Sequence, residues 1–345
     1  MSRAPSLPAV RPASANGLEG HLRHEREPAL DGVRGWAAAM VFWSHSAGFH
    51  VWGGTGFWLF FILSGFLLFR PFVRSGYRLE GRGLIGYGVR RLLRIWPLLL
   101  VAVPLYAMAV PEFGGWRSAL AHSVLIQADM HFWTVKQELL FYAVLPLFVV
   151  LCRIAPRHAF GVLVACGVGG YVLFDVVQIV SIPWQGLGLK LRIVPFIIGM
   201  ALAAGLHRVG PRAGRALFWA GAIGLWALSS SVLFSLFHRD PGYFEWEHPY
   251  LLWPFLAAAM AGAYAAPSAL VTHPVVRQIG VWGYGIYIWH FGVLLVLKSR
   301  MDAPLWATTL LAAAVTLVLA AASYRWIEAP AIAWGQRLTR RLRGA

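Results

Sequence analysis

The chain has 345 residues, 59% of them apolar or aromatic and 13% charged, with a mean hydropathy of +0.62; ordinary soluble domains carry about 25% charged residues. These figures exclude a soluble enzyme and a disordered chain, and the formal charge of +16 does not make a nucleic-acid binder, because no folded soluble segment remains to carry a basic patch. Its two cysteines, Cys152 and Cys166, sit in or beside apolar runs, so neither a disulfide framework nor a cysteine-ligated metal site is expected.

Residues 1–28 are rich in Pro, Ala, Ser and Arg and have no apolar core, which predicts a disordered cytoplasmic tail rather than a signal peptide. From Ala29 onward apolar stretches recur, and about 20 residues at 1.5 Å rise each cross a hydrocarbon core. They predict an all-α polytopic membrane bundle with about ten spans, near 30–49, 54–72, 91–110, 132–152, 159–180, 192–207, 216–237, 249–266, 281–298 and 304–324. With the N-terminus inside, 22 of the 30 basic residues fall on inner segments and six on outer ones. The positive-inside rule then places both termini in the cytoplasm, with 336–345 as a basic cytoplasmic tail; a multi-pass protein of the inner (cytoplasmic) membrane is expected.

Ionisable groups inside spans are costly, and each is a functional candidate. In the first span Arg34 and His45 are 11 residues apart, which at about 100° per residue is three turns plus roughly 20°, so they share one face about 16 Å apart along the axis. Asp31 lies one turn below Arg34 on the same stripe, close enough for a charge pair. A neutral imidazole such as His45 is suited to general-base work because its ordinary pKa is near that of the cytoplasm; the alternative is a helix-end anchor plus a histidine bonded to a neighbouring carbonyl.

The fourth span carries Glu138 with Tyr142 one turn beyond it. A carboxylate there needs a partner on another helix, His45 or an arginine being expected, since Lys136 at i−2 faces away; a purely structural tie between helices serves equally. In the ninth span Tyr287 and His290 are one turn apart, and Arg325 and Glu328, at i and i+3 near the end of the last span, are expected to form an ion pair. Asp175 in the fifth span has no evident assignment. Arg91 and Arg94, one turn apart at the start of the third span, suit phosphate oxygens, although positive-inside anchoring alone would also place them there.

Taken in order, these segments resemble the membrane acyltransferase 3 family over about residues 29–335. Leu30 to Gly35 matches its L-D-G-x-R-G segment, Arg34 with His45 its R-x10-H motif, and Phe60 to Leu67 its F-F-x-L-S-G-F-L run. Arg91 and Arg94 match R-x-x-R, Trp133 to Tyr142 the segment holding Glu138, Tyr284 to His290 the Y-x-x-Y-L-W-H segment, and Glu328 with Pro330 the closing acidic residue before proline. Thr134 to Gln137, Leu139 and Ala329 depart from the usual pattern, which touches the role of the fourth span more than family membership.

The resemblance implies transfer of an acyl group, usually acetyl, from cytoplasmic acyl-coenzyme A to a hydroxyl of a glycan, lipid-linked sugar or macrolide, without a metal. It implies His45 as base or acyl carrier, Arg34 beside the pantetheine or oxyanion, Glu138 orienting the imidazole, and Arg91 and Arg94 on the donor's phosphates. Many relatives add a hydrolase-like domain after the last span; 17 residues follow Glu328, so a stand-alone transferase is expected. Trp116, Trp184, Trp246 and Trp253 are expected toward the outer side as interfacial anchors or sugar-stacking surfaces. Two other readings compete: a transporter or channel using Arg34, His45 and Glu138 as a polar path, and a scaffolding subunit of a glycan-export assembly.

Overall fold

The computed structural model describes residues 27–46, 52–75, 81–110, 113–177, 192–229 and 248–344, with 181–182, 189–190, 243–246 and Leu236. Residues 1–26 of the expected tail, Trp184 and the side chain of Asp175 lie outside the described residues.

Apart from turns and connecting segments, the described residues form helices and one antiparallel pair of two-residue strands, Ser181–Ile182 and Leu189–Lys190. The helices are α1 (Pro28–Ser46), α2 (Gly53–Arg74), α3 (Gly81–Ala109), α4 (Gly115–Ser123), α5 (Trp133–Ile154), α6 (Ala159–Gly170), α7 (Val194–Gly205) and α8 (Pro211–Leu228). After the single turn α9 (Tyr243–Trp246) come α10 (Trp253–Ala265), α11 (Ala269–Thr272), α12 (Pro274–Val281), α13 (Gly283–Arg300), α14 (Leu305–Ser323) and α15 (Ala329–Gly344). Among the described residues five helices are long and apolar enough to cross a membrane: Gly53–Arg74, Gly83–Ala109, Trp133–Ile154, Pro156–Phe174 and Leu305–Leu342. A sixth arises if α12 and α13, bent by 74° at Trp282, count as one span. The architecture is a helical bundle of membrane type.

Local sequence explains several helix ends. Proline stands at the start of α8 and α12, where its missing N–H costs nothing, and Asp31 in the first turn of α1 complements that helix's dipole. α3 begins at Gly81, ten residues before the expected start at 91, because its polar first turns lie against α15, where Thr339 Oγ1 donates to the Gly86 carbonyl at 3.3 Å. Arg91 and Arg94 therefore sit inside a helix rather than at its edge.

Small residues set the closest packing, as expected where side chains on both partners are apolar. α2 lies against α7 with Gly65 on the Phe196 backbone and Gly199 on the Ile62 carbonyl, so that a Cβ at either would collide. α1 meets α12 the same way, with Gly35 on the Val276 carbonyl and Gly280 on that of Asp31. The two glycines of the L-D-G-x-R-G segment, Gly32 on the Val271 carbonyl of α11 and Gly35 on α12, thus bring α1 close against both helices.

The last long helix is interrupted by a π turn, Tyr324–Glu328, between α14 and α15. The expected Arg325–Glu328 pair does not form. The wider i→i+5 turn takes more residues to come round, so positions three apart no longer stack; Arg325 is exposed, whereas Glu328 is buried and pairs with Arg94 at 2.5 Å.

Candidate active site

Arg34 donates to Asp31 at 2.8 Å, and the stem of Arg34 runs beside Gly283, where a Cβ would stand 3.2 Å from Cγ and 3.3 Å from Cδ. Three turns on, His45 meets His290 and Phe291 of the same helix, ring centroids 5.1 Å from each. Arg34 and His45 therefore share the face of α1 turned to α13, as the spacing predicts.

Acceptors dictate the protonation of His45. Its Nδ1 lies 2.9 Å from the Val41 carbonyl oxygen, which can only accept, so Nδ1 carries the hydrogen. In the neutral ring Nε2 is then bare. Lys298 Nζ donates to the His45 carbonyl at 3.1 Å, tying the end of α1 to α13. His131 completes a row of imidazoles, its ring 5.5 Å from that of His290 and its Nε2 3.2 Å from the Ile288 carbonyl. The three rings are strung along the helices rather than converging; among the described residues no three His, Cys, Asp or Glu side chains are placed to hold a metal ion.

Glu138 accepts from Tyr142 Oη at 2.5 Å and Ser64 Oγ at 3.2 Å. Neither His45 nor an arginine is its hydrogen-bond partner, contrary to expectation, because α2 lies beside α5 and supplies a hydroxyl at that level. The F-F-x-L-S-G-F-L run thereby acquires a double role: Ser64 satisfies Glu138 and Gly65 lets α7 approach. Lys136 donates instead to the Ile126 carbonyl at 2.9 Å.

The two arginines of R-x-x-R differ in state. Arg94 pairs with buried Glu328 and lies over the Tyr284 ring at 5.3 Å. Arg91 lies over the Tyr87 and Tyr142 rings, 5.9 Å from each, with no ion pair among the described residues and with its Nε lacking a hydrogen-bond partner there. Tyr284 donates to the Ile95 carbonyl at 2.8 Å, and Tyr287 to that of His131 at 2.6 Å while accepting from Thr134 at 2.5 Å. Arg34, Ser64, Arg91, Glu138 and both tyrosines are only half-buried, so polar groups on α1, α2, α3, α5 and α13 keep accessible surface.

A family model described as an acyltransferase domain matches residues 27–325. The chain belongs to the acyltransferase 3 family. Peptidoglycan O-acetyltransferase OatA of Listeria monocytogenes is 24% identical over 88% of this chain and 55% of its own length. Nodulation protein 10 of Rhizobium leguminosarum is 24% identical over 82% of this chain and 83% of its own length. The chain thus spans about 55% of OatA. No solved structure matches.

Sequence reasoning missed two parts of this neighbourhood. Tyr106 of α3 donates to the Ile288 carbonyl at 2.6 Å and accepts the Gly292 N–H at 2.7 Å, bracketing His290; nothing in the apolar run around Tyr106 marks it. Glu245 of α9, 1% exposed, accepts from Trp52 N at 2.6 Å, Gly54 N at 2.8 Å and Thr55 Oγ1 at 2.7 Å. This carboxylate caps α2, whose own N-terminal residue Trp52 offers no side-chain cap, next to Ser44 and hence to His45. Burial pushes its carboxyl up, against the pull of those donors. Of the tryptophans expected outside, Trp116 and Trp246 are exposed, but Trp253 is buried against Trp58 with ring centroids 5.7 Å apart and serves as core.

Proposed function

We propose that the protein is a membrane O-acyltransferase that moves an acyl group, acetyl in the simplest case, from cytoplasmic acyl-coenzyme A to a hydroxyl of a glycan or glycosylated acceptor. The observation that carries this reading is the bare Nε2 of His45, held by the bond from Nδ1 to Val41 on the face of α1 that also bears Arg34. Family membership supports acyl transfer, and OatA being a peptidoglycan O-acetyltransferase supports a glycan acceptor.

In this reading the acceptor hydroxyl gives its proton to His45 Nε2 as its oxygen attacks the thioester carbonyl. The new C–O bond forms, the C–S bond breaks, and the leaving thiolate takes the proton back from the imidazolium. Arg34, about 16 Å along the helix, lies beside the donor's pantetheine arm. Arg91 takes a donor phosphate, because it pairs with no anion among the described residues, whereas the charge of Arg94 is already matched by Glu328. Glu138, satisfied by Ser64 and Tyr142, shapes the wall of the donor path. The bundle crosses the inner membrane ten times with both termini in the cytoplasm, where the donor is.

Binding of labelled acetyl-coenzyme A to the protein in lipid nanodiscs tests the donor. Saturable binding that Arg91→Ala weakens about tenfold is expected, from the loss of one charge-assisted contact; no binding by folded protein would overturn the donor assignment. His45→Ala is expected to insert normally and lose at least about a hundredfold in acyl transfer, and a fully active variant would remove the base.

A further inference from the structure

We propose that His290 is the positioning residue of the site: its imidazole accepts the Nδ1–H of His45 and holds that ring with Nε2 turned to the substrate. This rests on the reading of His45 as the base. Glu138, the group expected to orient the imidazole, is bonded elsewhere, which leaves that role open.

His290 is 0% exposed in the middle of α13. Its Nδ1 lies 2.7 Å from the Tyr287 carbonyl and 3.1 Å from that of Ile286, two groups that only accept, so Nδ1 carries the hydrogen and Nε2 is a bare lone pair. That lone pair lies 3.3 Å from His45 Nδ1, whose hydrogen is already required by Val41. One N–H is therefore shared between a carbonyl and an imidazole. With His45 in the other tautomer, a lone pair on Nδ1 would face two acceptors and leave both unsatisfied. The chain of constraint runs one way, from backbone carbonyls of α13 to His290, to His45, and out to Nε2.

The backbone that aims His290 is itself fixed from outside α13. Tyr106 bonds Ile288 and Gly292 on either side of it, and His131 bonds Ile288 as well. Two segments besides α1, namely α3 and the turn before α5, thus converge on residues 288–292 of α13, and the precision of His290 follows from theirs. When His45 takes the acceptor's proton on Nε2, its Nδ1–H stays on His290 and Val41, so the charge develops against two ready acceptors without any group moving.

The ¹⁵N spectrum of histidine-labelled protein in nanodiscs, with His45 assigned by its loss in His45→Gln, reads the geometry directly. Hydrogen on His45 Nδ1 with a correlation across to an unprotonated His290 Nε2 is expected; hydrogen on His45 Nε2, or no correlation, overturns the proposal. Turnover of acetyl-coenzyme A with N-acetylglucosamine oligomers supplies the functional arm. His290→Phe, which keeps a ring but no acceptor, is expected to lower kcat about tenfold with KM within twofold, since Val41 remains. His290→Gln, whose Oε1 reaches the same point, is expected to restore most of the rate. Equal losses in the two variants, or none in His290→Phe, overturn the positioning role, whereas full activity of His45→Ala removes the base and leaves the spectroscopic result standing.

Discussion

Arg91 and Arg94 stand one turn apart and carry the same formal charge, yet removing them has different physical consequences. Arg94→Ala strands buried Glu328, 1% exposed on its side chain, and is expected to destabilise the protein by about 3–5 kcal/mol, the usual result of breaking a buried pair from one side. Arg91→Ala removes a guanidinium that, among the described residues, has no ion pair and no partner for its Nε, so thermal unfolding is expected to move little. Melting curves of the two variants in the same detergent check this, with equal losses counting against it. At this scale the sequence was informative where partners lie on one helix. Asp31 with Arg34 and Glu138 with Tyr142 are both bonded as their spacing suggested. It was misleading where partners lie on other helices or the helix changes pitch: Glu328 reaches across to Arg94, and Ser64 rather than His45 reaches Glu138. No periodicity within one segment carries that information.

Helices were legible from apolar length, and their ends much less so. The first turns of α3 are polar and read as a loop, but α15 covers them; the bend at Trp282 follows from backbone contact between α1 and α12 that only the assembled bundle contains. The short α4 makes a pH-dependent element. Its His122, 1% exposed, donates from Nδ1 to the Ser118 carbonyl at 2.8 Å and accepts the Asp129 N–H on Nε2 at 3.1 Å. Burial holds its pKa below the ordinary 6.5, although the Ser118 carbonyl and Asp129 pull the other way. The unfolded segment therefore binds the proton more readily than the folded one, so stability is complete above about pH 6.5 and declines as the pH falls toward the lowered folded value. Protonation of Nε2 also removes the acceptor of the Asp129 N–H. The protection of amides between α4 and α5, taken as exchange relative to the intrinsic rate at each pH, is expected to fall at pH 5.5 relative to pH 7.5 in the native protein and much less in His122→Gln; unchanged protection would count against the device.

For the whole molecule, the arrangement of charge makes a claim about sidedness. Arg117, Arg300, Arg157 and Arg212 are all exposed; the proposed orientation puts the first two outside and the last two inside. In a background carrying Cys152→Ala and Cys166→Ala, Arg117→Cys and Arg300→Cys are expected to react with an impermeant maleimide on intact cells. Arg157→Cys and Arg212→Cys are expected to react only after the membrane is opened, and the reverse pattern would invert the orientation. The π turn has a consequence for how such a chain tolerates change of length. In an unbroken helix, deleting one residue swings everything downstream by about 100°, which here would turn the inward face of α15 off α3. Within Tyr324–Glu328 the chain already holds one residue more than an α-helix needs, so a single deletion there returns the turn to ordinary pitch and leaves α14 and α15 on their present faces. The bundle would keep its threading and lose only the seat of Glu328 beside Arg94.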